Sequence, residues 1–124
     1  MLAIASLLAS AAHAHAQAGT LSREDAQRRR QLTAQATQLR RTGDHAGALA
    51  RAHEAAALGT TVALRRLVAE ELEAVGDVAP AYQEFGRCVA DATAARDRAS
   101  LRACRLGQER IAPQLEWVRF ATVD

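Results

Sequence analysis

The fold of this 124-residue chain is decided by the stretch GDHAGALA at residues 43–50, which is echoed by GDVAPAY at residues 76–82. Each copy predicts a tight Gly-Asp turn between two amphipathic helices, because glycine ends a helix readily and aspartate caps the next one. The two glycines, Gly43 and Gly76, lie 33 residues apart. A fixed period of this size, with a helix on either side of each turn, is typical of an α-helical repeat protein.

Apolar side chains recur at helical spacing around both turns and predict an all-α domain: two antiparallel helical hairpins and a C-terminal capping helix. We expect helices at about residues 23–41, 45–58 and 62–75, a fourth from Asp77 to a bend at residues 94–97, and a fifth at 98–112. The predicted inner faces are Leu32, Ala36 and Leu39; Ala46, Leu49, Ala50, His53 and Ala57; Leu64, Leu67, Val68, Leu72 and Val75; Ala81, Tyr82, Phe85, Cys88, Val89 and Ala92; and Leu101, Cys104, Ile111 and Leu115.

The first 18 residues are set apart from this domain by their composition. Residues 1–12 are apolar apart from serines, no charged side chain precedes Arg23, and three A-x-A patterns follow between Ala12 and Ala18. This pattern predicts a secretory signal peptide at 1–18, cleaved after Ala18 or, as a second choice, after Ala16. An uncleaved membrane anchor is the alternative. Residues 19–28 are then expected to be a linker and a frayed helix start, and residues 29–112 to form the repeat domain.

The C-terminal residues 113–124 differ in composition from the helices that precede them. We expect Pro113 to close the fifth helix, and the β-branched and aromatic residues within 116–124 predict a short β-strand. Because a single strand needs a partner edge, this strand would fold back on the helices or open a β-domain that the chain does not contain.

Charge and composition exclude several classes of function. The net charge is +2, lysine is absent, and arginines alternate with acids along the helices, which is typical of a solvated surface and disfavours a nucleic-acid partner. No Gly-rich phosphate loop, metal-ligand spacing or facing pair of acids is found. His13 and His15 fall in the segment expected to be removed. We therefore predict no catalytic site, no metal and no cofactor.

The two cysteines, Cys88 and Cys104, lie on the predicted inner faces and are equidistant from a bend centred near Arg96. Packed helices can bring such a pair within disulfide distance, and an exported protein permits the bond. The sequence therefore predicts a disulfide, with two buried reduced thiols as the alternative.

The two copies resemble the tetratricopeptide repeat, a helical hairpin of about 34 residues, over residues 29–94. Small and large apolar residues fall at matching positions of the family pattern: Ala36 and Ala69, Leu39 and Leu72, Ala48 and Ala81, and Phe85, with Ala52 in its place in the first copy. A later alanine is matched by Ala55 and replaced by Cys88, and the proline that often ends the repeat is absent. The order of elements is similar to bacterial exported proteins in which such repeats precede a small β-domain of the PEGA type.

The resemblance implies that the first helix of each repeat lines a concave groove. The residues expected to face it are Arg30, Thr33, Thr37 and Arg40 from the first repeat and Ala63, Arg66, Glu70 and Glu73 from the second. Such arginines could hold a carboxylate or an acidic peptide, and the alternative is a solvated face with ion pairs one turn apart.

These observations predict a non-catalytic scaffold of the periplasm or cell envelope that binds a protein or peptide of unspecified identity. The alternative is a structural helical spacer between a signal or anchor and a lost β-domain. A membrane contact is expected only if the N-terminal segment is not cleaved.

Overall fold

The computed structural model describes residues 20–121, with side chains described up to residue 116. The predicted signal peptide, including His13 and His15, lies outside the described residues, as do the last three residues of the tail. The helices of the described range are α1 (Arg23–Arg41), α2 (His45–Leu58), α3 (Val62–Ala74), α4 (Val78–Ala95) and α5 (Arg98–Ala121). The all-α class is thereby confirmed, and residues 20–121 contain no strand.

The two Gly-Asp turns have the same backbone geometry. Gly43 and Gly76 adopt left-handed φ angles of 83° and 84°, which glycine reaches without a steric penalty. Asp44 N–H donates to the Leu39 carbonyl and Asp77 N–H to the Leu72 carbonyl, each at 2.9 Å. All of these positions are related by the same shift of 33 residues, so the helix-ending Schellman motif is repeated bond for bond.

A third turn of the same kind joins α4 to α5 without glycine. Arg96 holds a left-handed φ of 55°, and Asp97 N–H donates to the Ala92 carbonyl at 2.9 Å. A non-glycine residue in this region carries a modest backbone strain. The bend predicted at residues 94–97 is therefore present, although no glycine or proline marks it.

Side-chain caps begin four of the five helices. Ser22, Asp44, Thr61 and Asp97 each accept the backbone N–H three residues later, at 2.9–3.1 Å. Ser22 caps α1, and Glu24 and Asp25 follow in its first turn, so α1 begins at Arg23.

The cap of α4 is the exception. Asp77 occupies the capping position but its side chain makes no cap hydrogen bond. The residue that would donate is Pro80, which has no backbone N–H, whereas Gly47 donates to Asp44 at the equivalent place of the first hairpin.

Each helix packs against the next along the chain, and α3 also contacts α5. Buried positions recur with the 33-residue shift. The matched buried pairs are Ala36 and Ala69, Ala48 and Ala81, Ala52 and Phe85, and Ala55 and Cys88. The molecule is therefore a helical repeat-like stack of two hairpins, α1–α2 and α3–α4, closed by α5.

The inner face predicted for α2 was wrong in four of its five residues. Ala46, Ala50, His53 and Ala57 are exposed, and only Leu49 packs against the core. The buried residues of α2 are Ala48, Ala52 and Ala55. Because alanines lie on almost every side of this helix, its apolar periodicity does not select a face. The three buried alanines are among the positions that the repeat resemblance names.

The strand predicted at the C-terminus was also wrong for residues 116–121, which continue α5. Pro113 lies within this helix and does not end it. Ile111 is buried and Leu115, one turn later, packs against the core cluster. The amphipathic stripe therefore crosses the proline, and tertiary packing overrides the β-propensity of the residues that follow. Val75, predicted on the inner face of α3, lies in the turn and is 41% exposed.

Candidate functional site

The groove expected along α1 and α3 consists of two adjoining cavities. The first, which we call the arginine cavity, measures about 500 Å³ and lies between the outer side of α1 and the start of α3. The second, the ion-paired cavity, measures about 390 Å³ and reaches Ser100 of α5. Seven of the eight residues expected at the groove line one or both: Arg30, Thr33, Thr37, Arg40, Ala63, Arg66 and Glu70. Glu73 lies outside both cavities.

Positive charge dominates the arginine cavity. Its lining includes Arg29, Arg30 and Arg41 but no aspartate or glutamate. Arg29 donates from Nη1 to the Gly59 carbonyl at 3.1 Å and so ties α1 to the loop before α3. Arg30 and Arg41 are exposed and form no ion pair with any other residue of the described range. Their guanidinium groups are thus available to an anionic partner.

The floor of the same cavity offers acceptors and a small apolar surface. The hydroxyls of Thr33 and Thr37 donate to backbone carbonyls of α1, at 2.7 and 2.9 Å. Because their protons are used within the helix, these hydroxyl oxygens remain as acceptors for a partner's N–H. Ala34, Ala63 and Leu64 complete the lining.

The ion-paired cavity is neutralised by its own side chains. Glu70 accepts from Arg40 Nη1 and from Arg66 Nε, each at 2.7 Å. All three residues line this cavity, and each has a partner of opposite charge. A ligand at this end would have to displace those pairs.

Glu71 is a residue of this region that the sequence analysis missed. It is 1% exposed, and its carboxylate contacts Arg40 Nε at 3.2 Å and His45 Nδ1 at 2.7 Å. These contacts join the first hairpin to α3. A signal was present, because Glu71 lies seven residues after Leu64 and three after Val68, on the apolar stripe of α3.

Glu73 pairs with α5. It accepts from Arg110 Nε at 2.7 Å and from Arg110 Nη2 at 2.6 Å, and this bidentate contact raises the pKa of Arg110. The Arg110 guanidinium also lies 6.0 Å from the centre of the Phe85 ring. Glu73 therefore fastens α3 to α5 and plays no part in the cavity lining.

Cys88 and Cys104 form a disulfide between α4 and α5, with the sulfurs 2.01 Å and the Cα atoms 6.0 Å apart. Both residues are fully buried. The bond fits an oxidising environment such as that outside the cytoplasm.

Within residues 20–121, no cluster of three or more His, Cys, Asp or Glu side chains could hold a metal ion. Over the same range, no helix is long and apolar enough to cross a membrane. No family model, curated protein or solved structure matches this chain.

Proposed function

We propose that this protein is a non-catalytic scaffold that binds an acidic protein or peptide segment along α1. The arginine cavity carries the proposal, because three arginines line it without an acidic side chain. Guanidinium groups bind carboxylates through paired, charge-assisted hydrogen bonds. Arg30 and Arg41 lie three turns apart on α1, so a bound segment would run along the helix.

The size of the cavity and its exposure set the expected affinity. Both free arginines are exposed, and exposed ion pairs contribute about 0.2–1 kcal/mol each. Apolar atoms make up most of the lining surface, but their total area is small. We therefore expect binding no tighter than micromolar, with affinity that falls as salt screens the charges.

We further propose that the stack is of the tetratricopeptide type and that it works in the periplasm or cell envelope. The recurrence of buried positions with a 33-residue shift supports the first point. The buried disulfide supports the second, since such bonds persist in oxidising compartments.

The alternative function, a spacer before a lost β-domain, depended on a terminal strand. Residues 116–121 are helical, which removes the observation that favoured it. A spacer should bind no acidic segment at the arginine cavity.

The test is a titration of the disulfide-bonded protein into a fluorescent peptide of alternating glutamates and glycines, with the glutamine version as the neutral control. We expect binding of the acidic peptide only. The double variant R30Q/R41Q should weaken it about tenfold, which corresponds to about 1.4 kcal/mol.

A matched control is the double variant R102Q/R105Q, which removes the same charge from two exposed arginines of α5 that lie outside the cavity and form no ion pair within the described residues. It should change the affinity less than about twofold at physiological salt, because distant exposed charges are screened. Equal losses in both variants, or no binding of the acidic peptide by the unaltered protein, would overturn the proposal.

A further inference from the structure

The outer face of α5, on the opposite end of the stack from α1, is the second charged surface of the molecule. Ser100, Cys104, Gly107 and Ile111 are buried against α3 and α4. At 3.6 residues per turn, the directly opposite side of the helix bears five charged residues, all exposed. They are Arg98, Arg102, Arg105, Glu109 and Glu116.

Charge is segregated along this face. The three arginines lie between Arg98 and Arg105, and the two glutamates follow at positions 109 and 116. None of the five forms an ion pair with another described residue, even though Arg105 and Glu109 lie one turn apart. Elsewhere on the stack, charged residues such as Arg40, Arg65, Glu73 and Glu84 are paired between helices.

Four of these five charges lie symmetrically about residue 107, whereas Arg102 has an alanine, Ala112, at the matching position. Arg98 and Glu116 lie nine residues on either side of it, and Arg105 and Glu109 lie two residues on either side. In an antiparallel pair of identical helices related by a two-fold axis at residue 107, each arginine of these pairs faces the matching glutamate of the other copy. Leu106, which is 50% exposed, would lie beside the axis.

We propose that a second copy of this chain docks antiparallel on the outer face of α5, forming a two-fold dimer. Four intermolecular Arg–Glu pairs flank a small apolar centre made by the two Leu106 side chains. The arginine cavity lies on α1 and stays open in such a dimer, so this proposal does not depend on the proposed function.

The dimer should be weak and sensitive to salt. A contact between two single helices buries less than the roughly 1,200–2,000 Å² of a standard interface. Its specificity comes from charge complementarity, which is screened as ionic strength rises. We expect dimers at about 100 μM protein in low salt and their loss near about 1 M salt, where the screening length falls to about 3 Å.

The test uses two charge-reversed variants, R98E/R105E and E109R/E116R, followed by sedimentation velocity. Each variant alone places like charges opposite each other and should be monomeric. An equimolar mixture restores all four opposite-charge pairs and should dimerise at least as well as the unaltered protein. The control R28E/R51E, with the same charge change away from α5, should dimerise normally.

Circular dichroism of each variant checks that the helices are retained, and the mixture itself shows that both variants are competent to bind. Monomers of the unaltered protein at about 1 mM in low salt would overturn the proposal. A mixture that remains monomeric while the unaltered protein dimerises would overturn it as well, because it would place the interface elsewhere.

Discussion

The two hairpins, α1–α2 and α3–α4, share one turn geometry but differ in what fills the space between their helices. At matched buried positions, Ala52 of the first hairpin corresponds to Phe85 of the second, and Ala55 corresponds to Cys88. An alanine buries much less apolar area than phenylalanine, so it contributes less to stability. The comparison shows that the turn sets the path of the chain, whereas side-chain volume sets how firmly each hairpin is held.

The contacts that hold each hairpin in the stack also differ, and they again favour the second hairpin. The second hairpin is joined to α5 by the disulfide and is bridged internally by Arg65, which contacts Asp91 and Glu84. The first hairpin packs on α3 through the small apolar cluster of Leu32, Ala55 and Leu64, and Glu71 adds polar contacts to Arg40 and His45. We infer that the first hairpin, which bears the arginine cavity, opens at a lower free energy than the second.

The largest expected effect comes from making the second hairpin resemble the first. Phe85→Ala removes a ring that is 1% exposed and should lower the free energy of unfolding by about 3–5 kcal/mol. Urea denaturation with the disulfide intact measures it. Tyr82→Ala, at a half-buried position one turn earlier, is the control and should cost clearly less. A loss below about 1 kcal/mol for Phe85→Ala would contradict the proposed role of this side chain.

Removing the disulfide should have the next largest effect. The bond closes a loop with a sequence separation of 16, for which the chain-entropy model gives about 3 kcal/mol. The free energy of unfolding of the double variant C88A/C104A should fall by about that much. The unaltered protein with its disulfide reduced is the control and should show the same loss. Unchanged stability in both samples would show that the disulfide between α4 and α5 does not stabilise the fold.

A smaller difference in stability is expected between alanine substitutions at Gly107 and Gly86, two glycines of the interface between α4 and α5. A Cβ at Gly107 would lie 2.5–2.7 Å from three ring atoms of the buried Phe85, whereas one at Gly86 would meet only the flexible amide end of Gln108. Overpacking costs about 1–3 kcal/mol and helix propensity returns about 1 kcal/mol, so Gly107→Ala should be destabilising overall.

Gly86→Ala is the matched control and should be neutral or stabilising by up to about 1 kcal/mol. Thermal denaturation of the two single variants compares them directly. A larger loss of stability for Gly86→Ala than for Gly107→Ala would contradict the close approach of α5 to Phe85.

The caps of the two second helices should differ as well. Asp44 accepts the Gly47 N–H at 2.9 Å, but Asp77 faces Pro80 and makes no such bond. Asp44→Ala should therefore cost about 1 kcal/mol and Asp77→Ala less. Urea denaturation of both variants measures the difference, and equal costs would count against the assigned cap.

The smallest effect is a dependence on pH at the third turn. Hydrogen bonds from the hydroxyl and the N–H of Ser100 hold the pKa of Asp97 below its usual value of 3.8. A carboxyl with a lowered pKa stabilises the fold above that usual value, and the contribution is lost as pH falls through the lowered pKa.

Asp97→Asn should therefore be less stable than the unaltered protein at about pH 6, and the difference should shrink below about pH 3. Unfolding curves at both pH values check this. Asp77→Asn is the control, because Asp77 makes no cap hydrogen bond whose loss could change the stability difference with pH. A difference for Asp97→Asn that is constant with pH would contradict the assignment.

Much of the fold could be predicted from the sequence because its turns are marked by chemistry. The Gly-Asp pairs and the cap at Ser22 gave the bounds of α1 and α2 as the structure has them. The inner face of α2 could not be found from periodicity, since alanine on every side gives no contrast. Local rules predict a helix end at Pro113. The helix continues because Leu115 packs against the core, and this tertiary contact is not visible in the sequence.

The candidate site was predictable in its location but not in its charge balance. The repeat resemblance implied that Arg30, Thr33 and Thr37 share one face of α1, and all three line the arginine cavity. Which arginines are already paired depends on distances between helices. Glu70 and Glu73 come from one helix, yet Glu70 pairs with Arg40 of α1 and Glu73 with Arg110 of α5.

Native-state amide hydrogen exchange tests the difference between the hairpins most directly. It reports the free energy of opening for each helix separately. We predict that the slowest amides of α1 and α2 exchange through openings of lower free energy than those of α3 and α4, by about 1 kcal/mol or more. Equal protection in both hairpins, or greater protection in α1 and α2, would contradict the account.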